Sequence, residues 1–182
     1  MRTSVPFAAA VLIVAVVAAA DVRADLATIE STCRAAAAAA LAADKILPFI
    51  SCKHHLSRHP GAANADVPGL ARIAAVLGAG NADAARAEAG RLAGSSGDPR
   101  YRGALERCAQ LFGAARAAFA AAEAAIVARR YAAVREQLTG VPELGHGCHA
   151  RVDRASPFMN YIVNNTLYAH MCMAIAGLVN IR

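Results

Sequence analysis

The sequence lacks any sustained period-two alternation built on β-branched residues, so it predicts no sheet. It has no Gly-x-Ser-x-Gly and no phosphate-binding loop, which removes the enzyme classes those motifs would mark. No basic run is interleaved with aromatics, and nucleic acid is therefore not predicted as a partner. There is no tryptophan, and aromatics make up only 5% of the chain. Beyond the N-terminal segment no apolar run reaches the roughly 20 residues of a membrane span, so no span is predicted. Adjacent Cys-Cys and Cys-x-Cys pairs are absent, which argues against a lipid-transfer scaffold.

What is present begins with a leader. Met1-Arg2 opens a short basic region, and residues 7–20 form an apolar run of 14 residues, the size of a signal-peptide core. Cleavage after Ala24 (or after Ala20) makes residues 1–24 a signal peptide and residues 25–182 one secreted domain. The chain has 19 Lys+Arg and 13 Asp+Glu; the leader removes two arginines and one aspartate, leaving 17 and 12. A secreted cation can adhere to an acidic matrix or membrane surface, or simply stay soluble.

The high hydrophobic content is mostly alanine, and larger core formers are sparse but regularly placed. Leu105, Cys108, Phe112, Phe119, Ala122 and Ile126 advance by threes, fours and sevens, the spacing of one helix face. Asp98-Pro99 supplies that helix with an N-cap and a first-turn proline. Ser156-Pro157 does the same for a last helix, with Met159, Val163, Leu167, Met171, Ala174, Ile175 and Leu178 as its inward stripe. A helix from about Pro68 to Leu92 has Leu70, Ile73, Leu77 and Leu92 inward, with a kink or break at Gly78-Ala79-Gly80-Asn81. Another runs from about Arg130 to Leu138 and ends in the breaker-rich TGVPELGHG. Helices joined by short turns predict an all-α fold, an antiparallel four-helix bundle over residues 66–182.

Five cysteines follow the leader: Cys33, Cys52, Cys108, Cys148 and Cys172. Four of them pairing leaves three possible connectivities by count alone. A reversal near Arg129 brings Cys108 and Cys148 to one level of neighbouring antiparallel helices, which makes them the natural bridge. Cys172 lies on the apolar stripe of the last helix, where a free thiol behaves as a small hydrophobe. That leaves Cys33 and Cys52 for each other. A straight helix over TCRAAAAAALAADKILPFISC would hold them roughly 28 Å apart, far beyond disulfide reach. The segment must fold back, near Ala43-Asp44 or at Leu47-Pro48, into a stapled N-terminal hairpin over residues 25–60.

His55 and His59 are spaced i, i+4, and His146, Cys148 and His149 form a second cluster. Zinc needs three or four convergent ligands. His55 and His59 supply two and lack the glutamate of a His-Glu-x-x-His pattern, so no metal or other cofactor is predicted and these histidines are read as solvent-facing. Catalysis by Cys172 is not predicted either, because a thiol on an apolar stripe is inert. Arg129-Arg130-Tyr131 is a candidate interface tip of residue types common at binding hot spots; the competing reading is an ordinary solvated turn. Asn164-Asn165-Thr166 is a glycosylation sequon with Asn164 as acceptor, on a predicted helix.

The ordered pieces IESTC (29–33), CKHHL (52–56), DPRYRGALERCAQLFGAA (98–115), Tyr-Ala-Ala-Val (131–134), Cys148, Ser-Pro-Phe (156–158) and a last helix with Cys172 ending in AIAGLV resemble the plant invertase/pectin methylesterase inhibitor family. The resemblance spans the mature chain. It implies a four-helix bundle after a helical hairpin, bridges joining first to second and third to fourth cysteine, and an unpaired fifth cysteine. It also implies secretion to the cell wall (apoplast) or vacuole, no enzymatic activity, and a 1:1 complex that covers the substrate cleft of a carbohydrate-active enzyme. Weak adherence to acidic wall polysaccharide accords with the charge. Two departures stand out. The gap between Cys33 and Cys52 is longer than usual, a feature shared with an invertase-inhibitor subgroup that includes pollen proteins. Invertase-directed members often have Pro-Lys-Phe where this chain has Arg129-Arg130-Tyr131. On that second departure pectin methylesterase is the first-ranked target and invertase the second. The reading from another class is a non-inhibitory module binding an apolar ligand or the wall.

Overall fold

A computed structural model describes residues 28–151 and 158–179. The leader at 1–24 and the Ser156-Pro157 cap lie outside the described residues. No strand occurs among those described. Helix α1 covers residues 28–42, followed by α2 (Phe49–Ser57), α3 (Val67–Ser95), α4 (Pro99–Val127), α5 (Tyr131–Leu138), α6 (Val141–His149) and α7 (Met159–Val179).

The long helices start where local chemistry dictates. Asp66 caps α3 by accepting from the Gly69 amide at 2.8 Å, with Pro68 in the first turn. Asp98 caps α4 by accepting from the Arg100 amide at 2.9 Å, ahead of Pro99. The two sharpest reversals share one device. After α1, the Asp44 and Lys45 amides donate to the Leu41 and Ala40 carbonyls. After α4, the Arg129 and Arg130 amides donate to the Ile126 and Ala125 carbonyls. Both are Schellman closures, and the left-handed residue is not glycine in either: Asp44 has φ 52° and Arg129 φ 57°.

Helix α3 packs on α4 and α7, while α5 and α6 pack on both α4 and α7, so the four limbs close into a bundle with α5–α6 as a jointed third member. The predicted face of α4 is buried along its whole length, from Leu105 through Phe112 and Phe119 to Ile126. Phe112 meets Phe158 edge-to-face at 5.3 Å between centroids.

Three expectations are corrected here. Helix α3 does not break at Gly78-Ala79-Gly80-Asn81. A Cβ on Gly78 would stand 2.2 Å from the Phe119 ring, so the glycine is where that ring enters. Asn81 reaches across to α7, donating to the Tyr161 carbonyl at 2.9 Å. The breaker-rich stretch after Leu138 is not irregular: it is helix α6, with Pro142 in the first turn, where its missing N–H is harmless. Gly145 and Gly147 admit Ile162 and Leu111 at close range. On α7, Val163 is 59% exposed, whereas Ile162, Asn165, Tyr168 and Cys172 are buried. Met171 and Ile175 of the expected stripe are buried and Val163 is its exposed member; the inward face is broader than one stripe because α7 is apolar nearly all round and packs on α3, α5 and α6.

Helices α4 and α7 are long and apolar enough to cross a bilayer by length and composition, a property the run-counting above did not register. The apolarity of α4 comes largely from alanines spread around the helix, and both helices turn buried residues into the bundle core.

The disulfides join Cys33 to Cys52, with Cα atoms 5.7 Å apart, and Cys108 to Cys148, at 4.9 Å. Alanine proves to be adequate packing material. Ile29, Cys33, Ala36 and Ala40 form the buried face of α1, and Ala71, Ala74, Ala82, Ala85, Ala89 and Ala93 form a seam along α3. Small side chains let helix axes approach closely, so little apolar area per residue is offset by tight contact.

Candidate functional site

The α4–α5 reversal is built to hold its shape. The Schellman bonds fix Arg129 in the left-handed region at a cost of roughly 1 kcal/mol for a residue with a Cβ. Arg129 and Arg130 are exposed, and Tyr131 packs half-buried against the core. Beside them lies a shallow concavity of about 530 Å³, bounded by Arg72 of α3, Val127 and Ile126 of α4, and Val179 of α7. Val127 is 64% exposed. Arg72 is held by an ion pair from its Nε to Glu123 Oε1 at 2.9 Å, while Arg129 and Arg130 have no ion-pair partner among the described residues. The result is an apolar centre edged by Arg72, Arg129 and Tyr131, with Asp66 also on the rim; Arg and Tyr are residue types favoured where proteins bind proteins. Arg72 and Val127 were missed from sequence. Val127 could have been noticed as a large apolar residue off the α4 stripe; Arg72 carries no local signal.

The remaining candidates sit apart from this tip. Cys172 is buried, its thiol donates to the Ala71 carbonyl at 3.5 Å, and burial pushes its pKa up to about 12. Such a thiol supplies no thiolate for nucleophilic chemistry at any physiological pH. His55 corrects the solvent-facing expectation: it is half-buried, with Nδ1 2.9 Å from the Tyr168 hydroxyl, and so ties the hairpin to α7. Burial first, then the neighbouring His54 and Arg58, hold its pKa below the usual imidazole value. His59 accepts from the Gly61 amide in the turn that follows α2. His146 and His149 stand on α6 beside Cys148, which is in its disulfide. Among the described residues no three His, Cys, Asp or Glu side chains converge as a metal site. Asn164 is half-buried mid-α7, and its neighbour Asn165 is fully buried and accepts from Asn81 Nδ2 at 3.3 Å.

On the hairpin, Glu30 bridges α1 and α2 by pairing with Lys53 at 2.9 Å, and the Lys53 ammonium holds its carboxyl below the ordinary carboxylate range. Arg34 lies over the Phe49 ring at 5.2 Å.

Comparison with known proteins places this architecture. The family described as plant invertase/pectin methylesterase inhibitor matches residues 27–176. The chain is 37% identical over 160 residues to pectinesterase inhibitor 8 of Oryza sativa subsp. japonica, covering 84% of each chain. It is 31% identical over 187 residues to pectinesterase inhibitor 12 of the same organism, covering 100% of this chain and 88% of the relative.

Proposed function

Since the chain belongs to the plant invertase/pectin methylesterase inhibitor family, whose members inhibit cell-wall enzymes and are not enzymes themselves, we propose that it inhibits pectin methylesterase by seating the α4–α5 end of its bundle over that enzyme's substrate cleft. The mechanism is occlusion in a 1:1 complex, with no bond made or broken. The observation that carries the reading is the fixed tip: Arg129, Arg130 and half-buried Tyr131 beside exposed Val127, on a reversal locked by two backbone bonds. Preset geometry lowers the ordering entropy that binding would otherwise cost. The bridge from Cys108 to Cys148 ties α4 to α6, the helix that follows α5 in the same limb. Both named relatives are pectinesterase inhibitors, which favours pectin methylesterase.

The proposal includes cleavage of residues 1–24, residence in the cell wall, and at most weak adherence to acidic polysaccharide through the net positive charge. Invertase is the second reading, favoured by the long interval between Cys33 and Cys52.

The test is titration of the purified protein against a pectin methylesterase and an invertase at acidic wall pH. Pectin methylesterase inhibition reaching an endpoint at one equivalent is the expected result. Replacing Arg129 and Arg130 together by alanine should weaken it at least tenfold while the helical circular dichroism is unchanged. Inhibition of invertase alone would move the target, and inhibition of neither would remove the proposal.

A further inference from the structure

The hairpin tip does not lie flush on the bundle. Between it and the wall made by α5, α6 and α7 runs a groove with two unlike ends. The narrow end, about 240 Å³, presents Lys45, Arg135, Thr139 and His170 over a floor of alanines and glycine, and no carboxylate lines it. Lys45, Thr139, Pro142 and His170 continue into a wider part of about 720 Å³, walled by Met159, Ile162, Val163 and Leu167. The carboxylates of the groove, Asp44 and Glu143, belong to the wider part, and Glu143 stands 3.6 Å from His146 Nδ1.

Neither Lys45 nor Arg135 has an ion-pair partner among the described residues. Two uncompensated cations on facing walls raise the local potential, and an anion placed between them relieves it. The apolar wall next to them is unusually open for side chains of this size: Val163 is 59% exposed, and Ile46 on the facing hairpin is 80% exposed. The hairpin is tied to α7 at the groove itself and beside it. His170 Nδ1–H donates to the Ile46 carbonyl at 3.2 Å, and His55 meets Tyr168. The two volumes fall in or near the range of small-molecule sites, which combine an apolar lining with a few convergent polar groups.

We propose that this groove binds a small amphipathic organic anion, its charged head between Lys45 and Arg135 and its apolar body along Met159, Ile162 and Val163. The site shares no lining residue with the α4–α5 concavity, so it stands whether or not the inhibitory reading does.

The test uses the full secreted chain and the fluorescent anion 1-anilinonaphthalene-8-sulfonate, with decanoate and decanol as competitors. Saturable binding to one site is expected, with decanoate displacing the probe at least tenfold more effectively than decanol. The variant with Lys45→Ala and Arg135→Ala should bind at least tenfold more weakly, and Val163→Glu should also weaken binding. Arg107→Ala, on a helix face remote from the groove, should bind as the parent does. No saturable binding, equal displacement by decanol, or unchanged affinity in the double variant would each overturn the proposal. The decanoate–decanol comparison needs no variant, so a variant that fails to fold leaves the test intact.

Discussion

Helix α3 and the α5–α6 limb both carry helix breakers, and they respond to them differently. In α3, Gly78, Gly80 and Asn81 do not interrupt a continuous 29-residue helix. In the third limb, the run from Thr139 to Pro142 splits what would be one helix into α5 and α6. Glycine lowers helix propensity by about 1 kcal/mol, which packing can offset. At Gly78 it does: the Phe119 ring occupies the space a side chain would need. Proline removes a donor outright, so no packing restores a bond from Pro142 to the Leu138 carbonyl. The chain accepts the interruption, and the Cys108–Cys148 bridge fixes the second piece to α4. One region is continuous because its defect is filled from outside; the other is discontinuous and held by a covalent tie.

That contrast can be broken experimentally. The largest effect should come from the tie. Replacing Cys108 and Cys148 by alanine reopens a 40-residue loop and should lower stability by about 4 kcal/mol in the chain-entropy treatment. Urea denaturation measures this, and losing α6 helicity before the remainder would sharpen the comparison. The same change at Cys33 and Cys52 should cost about 3 kcal/mol, since the loop spans 19 residues.

Next in size is Gly78→Ala. Its new methyl would overlap a fully buried aromatic ring, and overpacking of this kind costs about 1–3 kcal/mol. A stabilised protein would mean that α3 tolerates Gly78 for some reason other than Phe119. Gly90→Ala is the matched control. Nothing lies within 4 Å of its missing Cβ, so the substitution should stabilise by up to about 1 kcal/mol, read as a raised thermal midpoint.

The smallest effect concerns α7, on which both regions lean and to which the hairpin is fastened. Burial lowers the folded-state pKa of His55 and of His170, with Lys45 adding to the effect on His170 against its bond to the Ile46 carbonyl. A histidine whose folded pKa lies below its unfolded value of about 6.5 favours the folded chain when neutral. Its contribution is complete above pH 6.5 and declines as pH falls below that value. Denaturation midpoints should therefore drop slightly between pH 7 and pH 5, and His55→Gln should flatten part of that slope. A midpoint rising with acidification would contradict the assignment.

Some of this was legible before any coordinates. Asp98-Pro99 announces a helix start through chemistry internal to two residues, and α4 begins there; α3 begins one residue before the expected Pro68, on an Asp66 cap that only the structure shows. The α4 stripe was readable because its apolar residues are large and its opposite face carries charge. The α7 stripe is legible only in part, with Met171 and Ile175 buried but Val163 exposed, because hydrophobicity hardly varies around this helix and composition offers no phase. Its inward position includes a polar residue, Asn165, recognisable only through its contact with Asn81. The turn at Arg129, Arg130 and Tyr131 is readable from the sequence. Arg72 and Val179 join them only because α3 and α7 come to the same end of the bundle.

Local sequence alone determined that this chain is helical and roughly where α3 and α4 start. These follow from backbone bonding and short-range sterics, which act over a few residues. Only the tertiary structure decided that Gly78 is a socket, that TGVPELGHG contains a helix, which side of α7 faces inward, and that Lys45 and Arg135 line one groove. Those outcomes depend on which distant side chain fills a given space, and close packing settles that for all the helices together.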